Sequence, residues 1–223
     1  IMPSLVGSEM CIRDRAGADV NLVPFVTLNQ AAIEQSVDIM VDNIKEANII
    51  FFAGGFSAAD EPDGSAKFIV NILLNEKVRS AIDSFIEKGG LLIGICNGFQ
   101  ALVKSGLLPY GNFAEADDTS PTLFYNDANQ HVAKMVETRI ANTNSPWLAG
   151  VHVGDVHAIA VSHGEGKFIV TPEEFAVLRD NGQIFSQYVD GNGQPSMDSK
   201  YNPNGSMNCL LYTSDAADER SSV

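Results

Sequence analysis

The apolar residues in the first half of the chain fall into short continuous runs separated by stretches with helical spacing. The runs predict strands at 20–26, 48–53 and 91–95. The last two are apolar throughout and lie next to glycine pairs, a pattern typical of parallel strands buried on both faces. The sequence therefore predicts strands that lie inside a layered structure.

Helical spacing of apolar residues follows each of these runs. It predicts helices at 29–47, with Thr27 or Asn29 as the cap, and at 68–86, with a possible break near Asn75. A third helix is predicted at 97–104, directly after the run at 91–95. Strand and helix thus alternate along the first half of the chain.

The second half of the chain is rich in predicted strands, at 132–140, 157–161, 167–170 and 184–189. A helix at 171–178 has Thr171 as its cap and Pro172 at its first position. Alternation followed by strands predicts one α/β domain. Its expected architecture is an α/β sheet that is parallel at its centre and has antiparallel additions.

Composition and charge narrow the classes of function. The net charge of −14 disfavours nucleic acid and anionic membrane surfaces as partners. No apolar run approaches the about 18 residues that span a bilayer, and the start lacks a secretory pattern, so we expect a cytoplasmic protein. The spacing of the cysteines predicts neither disulfides nor zinc. The acidic residues at 60–63 resemble a metal cluster, but a solvated turn is favoured, so no metal site is expected.

The two ends of the chain can be encoded by complementary strands. Residues 10–15 can be written in codons whose reverse complement encodes residues 209–213. Two ends of one protein have no physical reason for this relation, and both ends read like translated library adaptor. We expect 1–15 and 209–223 to be non-native flanks and 16–208 to be a partial domain whose reading frame continues past Asn208.

The strongest chemical signal is the sequence Gly-Ile-Cys-Asn-Gly at 94–98, directly after a predicted buried strand. Glycines on both sides of Cys96 allow a strand to turn sharply into a helix and to expose a nucleophile at the turn. The helix N-terminus favours the thiolate, and the N–H of Asn97 points to where an oxyanion would form. Gly54 and Gly55, after the neighbouring strand, are the candidate second donor.

A lone cysteine would more often be a packed core residue. The flanking glycines, the preceding strand and the Gly54-Gly55 loop together favour the nucleophile. A base is also required, and the His-x-Glu formed by His163 and Glu165 in a predicted loop is the candidate pair.

At these residues the sequence resembles the class I glutamine amidotransferases, with their Gly-x-Cys-x-Gly-x-Gln elbow. It is most similar to the glutaminase domains of phosphoribosylformylglycinamidine synthases. The matching stretches are 54–57, 60–68, 94–100, 162–166 and 201–206. They cover nearly all of 16–208 in the expected order.

The resemblance implies that Cys96 attacks the side-chain amide of glutamine and that ammonia passes to a synthetase domain or subunit. That portion would use ATP and magnesium, whereas this domain would need no cofactor. Gln100 is implied to bind glutamine. The family has a later His-x-Glu that completes its triad, so His163 and Glu165 are expected to line or brace the site rather than to supply the base.

The resemblance also implies a doubly wound, flavodoxin-like fold with a mainly parallel central sheet, and a strand and a helix before Ala16. Without these elements and the later His-x-Glu, the chain as given is expected to show no glutaminase activity. Two alternatives stay open: another hydrolase or redox-sensing protein with an elbow cysteine, and a non-catalytic domain that docks on a synthetase. The first leaves Gln100 and the stretch at 163–166 unexplained.

Overall fold

The computed structural model describes residues 17–54 and 66–207, together with the backbone of Leu210–Leu211. The helices are α1 (Gln30–Glu46), α2 (Lys67–Leu73), α3 (Glu76–Glu87), α4 (Asn97–Lys104), the short α5 (Leu107–Tyr110) and α6 (Pro172–Asp180), with a 3-10 turn at Pro146–Leu148. The strands are β1 (Ile49–Phe52), β2 (Leu91–Gly94), β3 (Thr122–Phe124), β4 (Val132–Ile140), β5 (Val156–His163), β6 (Lys167–Ile169), β7 (Ser186–Tyr188) and β8 (Leu210–Leu211).

The helices begin where the sequence predicts caps. The side chain of Asn29 accepts a hydrogen bond from the N–H of Ala32, and Thr171 accepts one from Glu174. The predicted break near Asn75 is confirmed, because the Asn75 side chain caps α3 and separates it from α2. Helix α4 has the predicted bounds.

Strands β1 and β2 form a parallel pair, in which Ile49 lies opposite Leu91 and Phe52 opposite Gly94. The parallel register places the carboxyl ends of both strands at one edge, where Gly54 and Cys96 follow. Within the described residues this parallel sheet has two strands. The pair carries the two loops that the sequence analysis assigns to the site.

The prediction that β1 and β2 are buried on both faces is wrong for the described structure. Ile49 is 50% exposed and Phe51 is 37% exposed, whereas Ile50 and Phe52 pack against the core. All of β2 except Gly94 is only half-buried. Residues of helices α1 to α4 pack in one core with Ile50 and Phe52, on one face of β1, whereas the opposite face is partly exposed.

The predicted strand at 20–26 is also wrong, since this segment has no ladder partner in the described chain. The N–H of Val26 donates to Ser36 Oγ of α1 at 3.0 Å. Pro24 has no N–H to donate. The ring of Phe25 meets Phe68 edge-to-face, with the ring centroids 5.8 Å apart. The apolar residues therefore anchor an irregular segment on the helices.

The second half is antiparallel, in two sheets with the orders β3-β6 and β5-β4-β7-β8. The longest ladder joins β4 and β5, from Val132 opposite His163 to Arg139 opposite Val156. Strand β3 is an element that the sequence analysis missed. No described helix is both long enough and apolar enough to cross a membrane.

Helix α4 lies between two hydrophobic cores. Ala101 and Leu102 pack into the core formed with α1, α2 and α3, while Phe99 and Val103 pack into a second core with β6 and α6. This explains why α4 is apolar around most of its circumference. The helix that follows Cys96 is therefore held from two sides.

Candidate active site

Cys96 lies at a sharp turn between β2 and α4. Its backbone has φ +52° and ψ −114°, a region that non-glycine residues rarely adopt. The residue as a whole is partly exposed. The sharp strand-to-helix turn expected at Cys96 is therefore present in the backbone, and the role of Cys96 as nucleophile stays a prediction.

The glycines on either side of Cys96 are required by close packing. A Cβ on Gly98 would lie 2.2 Å from the carbonyl oxygen of Phe52, the last residue of β1. A Cβ on Gly94 would lie 2.8 Å from the backbone of Gly98. Only glycine lets α4 start this close to the strands, and this approach sets the position of Cys96.

Two of the three residues predicted to form the oxyanion hole, Gly54 and Asn97, lie next to Cys96. Gly54 lies against the cysteine, such that a Cβ built on Gly54 would be 3.0 Å from Cys96 Cβ. Asn97 is 5% exposed and begins α4. Gly55, the second residue of the predicted loop, lies outside the described residues.

Gln100 follows Cys96 by one helical turn, and its N–H donates to the carbonyl of Cys96 at 3.0 Å. Side chains in a helix lean toward the N-terminus, so the Gln100 amide is directed toward the elbow. Its Nε2 donates to Glu165 Oε2 at 3.5 Å. The structure thus brings together Gln100 and Glu165, which are 65 positions apart in sequence.

His163 is oriented by an amide. Asn126 Nδ2 donates to the carbonyls of Gln130 and His163, at 3.0 and 2.8 Å. Asn126 Oδ1 accepts from the N–H of Gly166 and lies 3.0 Å from His163 Nδ1, which must therefore carry a proton. A triad base is oriented by a carboxylate, but the carboxylate of Glu165 is directed to Gln100.

The sequence of the chain matches a known protein family. A family profile described as the CobB/CobQ-like glutamine amidotransferase domain matches residues 9–211. The chain belongs to that family. The amidotransferase resemblance drawn from the elbow and its companion motifs is confirmed.

Curated relatives of this amidotransferase domain are phosphoribosylformylglycinamidine synthase subunits PurQ. This chain is 33% identical over 167 residues to the PurQ subunit of Thermomicrobium roseum, and the match covers 74% of this chain and 62% of the relative. It is 33% identical over 165 residues to that of Aquifex aeolicus, covering 74% and 65%. The chain therefore spans less than two thirds of these relatives.

A solved structure of PurLQS from Thermotoga maritima is also similar to the amidotransferase domain. The TM-score is 0.51 at 25% identity, and the match covers 74% of this chain and 61% of the other. This likeness supports the predicted α/β class.

Sequence reasoning missed two features of the amidotransferase domain that support the site. The first is Asn126, which no sequence pattern distinguishes from other residues of a polar loop. The second is the buried segment 202–206, whose motif was noted without a role. Ser206 Oγ accepts from the N–H of Phe168 at 3.0 Å, and Asn204 Nδ2 donates to the hydroxyl of Tyr188 at 3.1 Å. Ser206 Oγ also donates to the carbonyl of Gly166 at 3.4 Å, so Asn126 and Ser206 together hold the turn at 163–166.

Metal ligands are not clustered in the described part of the amidotransferase domain. No group of three or more His, Cys, Asp or Glu residues there could hold a metal ion. The acidic stretch at 60–63 lies outside the described residues. The expectation of a cofactor-free domain stays a prediction.

Proposed function

We propose that this chain is the glutaminase part of a phosphoribosylformylglycinamidine synthase, hydrolysing glutamine to glutamate and ammonia. The observation that carries the proposal is the strained conformation of Cys96, held between Gly94 and Gly98 at the start of α4. The names of the PurQ relatives supply the enzyme, phosphoribosylformylglycinamidine synthase, to which we assign this chain.

In the proposed reaction the Cys96 thiolate attacks the side-chain amide carbon of glutamine. The carbonyl oxygen becomes an oxyanion, stabilised by the N–H of Asn97 and by the Gly54-Gly55 loop. Collapse of this intermediate breaks the C–N bond, and protonation of the nitrogen releases ammonia. Water then attacks the thioester, releasing glutamate and restoring the thiol.

The ammonia is used by a synthetase domain or subunit, which we propose as the partner of this domain. That portion would bind ATP and magnesium and convert formylglycinamide ribonucleotide to the amidine. In the complete cytoplasmic enzyme, β1 and β2 belong to the mainly parallel centre of a doubly wound sheet. The similarity to the structure of PurLQS from Thermotoga maritima supports a role with a partner.

The base is proposed to come from a later His-x-Glu rather than from His163 and Glu165. An amide stabilises an imidazolium less than a carboxylate does, and the ring of His163 is oriented by Asn126. On this proposal the 223-residue chain alone releases no measurable glutamate from glutamine.

The test uses a chain extended to the length of its relatives and combined with the synthetase portion. Cys96→Ala should abolish amidation with glutamine and leave amidation with added ammonia unchanged, because only the thiolate step is removed. Equal loss of both activities would mean that Cys96 serves the fold or the docking surface. Glu173→Gln, an exposed change on α6, is the control.

A further inference from the structure

The carboxylate of Glu165 has no role in the chemistry at Cys96 described above, yet the turn that carries it is held by several hydrogen bonds. It lies in the turn between β5 and β6, where Asn126 holds the residues on both sides of it. The same turn is held by Ser206, which bonds to the N–H of Phe168. The backbone on both sides of Glu165 is therefore held in place, and the residue itself is half-buried.

The contact between Glu165 and Gln100 shows where the Glu165 carboxylate lies relative to helix α4. Gln100 is one helical turn from Cys96, and its side chain is directed toward the elbow. Through this contact Glu165 Oε2 is joined to α4 at a residue that lies one helical turn from Cys96. The part of glutamine that lies away from the reacting amide is its α-carbon, with an ammonium and a carboxylate group.

We propose that Glu165 is a specificity-determining residue that binds the α-ammonium group of the substrate. This inference rests on the proposed glutaminase function. Gln100 supports the site in two ways, since its Nε2 orients the carboxylate and its Oε1 accepts a second hydrogen bond from the ammonium. Asn126 acts as a positioning residue through the turn.

The glutamate of a His-x-Glu sequence could either orient a catalytic histidine or bind the substrate, and these two roles can be distinguished. A carboxylate that orients a catalytic imidazole affects every substrate equally, because it acts on the base. A carboxylate that binds an ammonium affects only molecules that carry one. The two roles therefore differ in how the effect of a Glu165 substitution depends on the ligand.

The experiment uses the 223-residue chain and two covalent probes of Cys96. The first is the diazoketone analogue of L-glutamine, in which the thiolate displaces dinitrogen from the protonated diazo carbon. The second is the same diazoketone without the α-amino group. Peptide mass spectrometry follows labelling of Cys96 separately from Cys11 and Cys209, and iodoacetamide reports the reactivity of the thiol itself.

In the unsubstituted chain the amino-bearing probe should label Cys96 at least about 10-fold faster than the des-amino probe. Glu165→Gln should slow the amino-bearing probe by about 10- to 100-fold. It should leave the des-amino probe and iodoacetamide within about twofold. Glu173→Gln is the matched control and should change none of these rates.

Equal slowing of both diazoketones by Glu165→Gln would overturn the proposal, since the carboxylate would then act on the thiol or on the fold. The absence of any preference for the amino-bearing probe would overturn it as well. Failure of the proposed function has a different signature, in which neither diazoketone labels Cys96 faster than Cys11 and Cys209. That result would overturn both proposals together.

Discussion

Gly98→Ala tests whether the close approach of α4 to β1 fixes the elbow. The added methyl group would lie 2.2 Å from the carbonyl oxygen of Phe52 and 2.8 Å from Phe52 Cβ. That carbonyl also accepts the N–H of Ile95 at 3.0 Å, the last bond between the two strands before Cys96. The structure cannot accommodate both the added methyl group and this hydrogen bond without a backbone shift.

Three contributions determine how much Gly98→Ala changes the free energy of unfolding. Overpacking against backbone costs about 1–3 kcal/mol. Loss of the bond between Ile95 and Phe52 adds about 1 kcal/mol. Alanine is favoured over glycine within a helix by roughly 0.5–1 kcal/mol, which offsets part of this cost. The net expectation is a loss of about 1–3 kcal/mol in the free energy of unfolding.

The assay is urea unfolding of the 223-residue chain, followed by circular dichroism, together with the rate of Cys96 alkylation by iodoacetamide. For Gly98→Ala the midpoint should fall and the alkylation rate should change, because α4 moves away from the strands. Gly150→Ala is the control, since no atom lies within 4 Å of its added Cβ. If Gly98→Ala were as stable as Gly150→Ala, the steric argument for the elbow would be refuted.

Two further predictions concern polar groups away from Cys96. Asn126→Ala should lower the free energy of unfolding by about 2–4 kcal/mol, because this buried side chain bonds on both sides of the turn at 163–166. The exposed Asn112→Ala should cost under about 0.5 kcal/mol in the same urea titration, and equal costs would contradict the prediction. Asp190 accepts the N–H of Gln194 and another turn N–H, which lowers the pKa of its carboxyl below the ordinary value. Its stabilising contribution is therefore complete above the ordinary aspartate pKa and is lost as the pH falls through the lowered value. Asp190→Asn should flatten the fall in thermal stability below that range, whereas the exposed Asp118→Asn should not; equal curves would contradict the assignment.

Features that depend on neighbouring residues in sequence could be predicted. The bounds of α4 follow from the elbow glycines and the apolar run after them, and the break between α2 and α3 follows from the capping ability of Asn75. The positions of β4 and β5 follow from their apolar patterns. The strained backbone of Cys96 follows from the spacing of Gly94 and Gly98.

Features that depend on which elements pack over a strand, or on contacts between residues far apart in sequence, could not be predicted. The apolar run of β1 indicates a strand, but it does not show how many elements cover that strand, so the exposure of Ile49 and Phe51 was missed. The anchor at Asn126 joins residues 37 positions apart, and single-sequence patterns carry no information about such pairs. Strand β3, at three residues, is too short for its pattern to be read.

The fastening of the turn at 163–166 by the segment 202–206 has a consequence for the order of events during protein synthesis. Gly166 and Ser206 are 40 positions apart, so the turn is made before the residues that fix it. At a synthesis rate of about 5–20 residues per second, this delay lasts roughly 2–8 s. During that interval the elbow at Cys96 can already form on the ribosome, while the turn at 163–166 is held by Asn126 without Ser206. The nascent chain can therefore form the elbow before residues 202–206 complete the fastening of the turn that we propose selects its substrate.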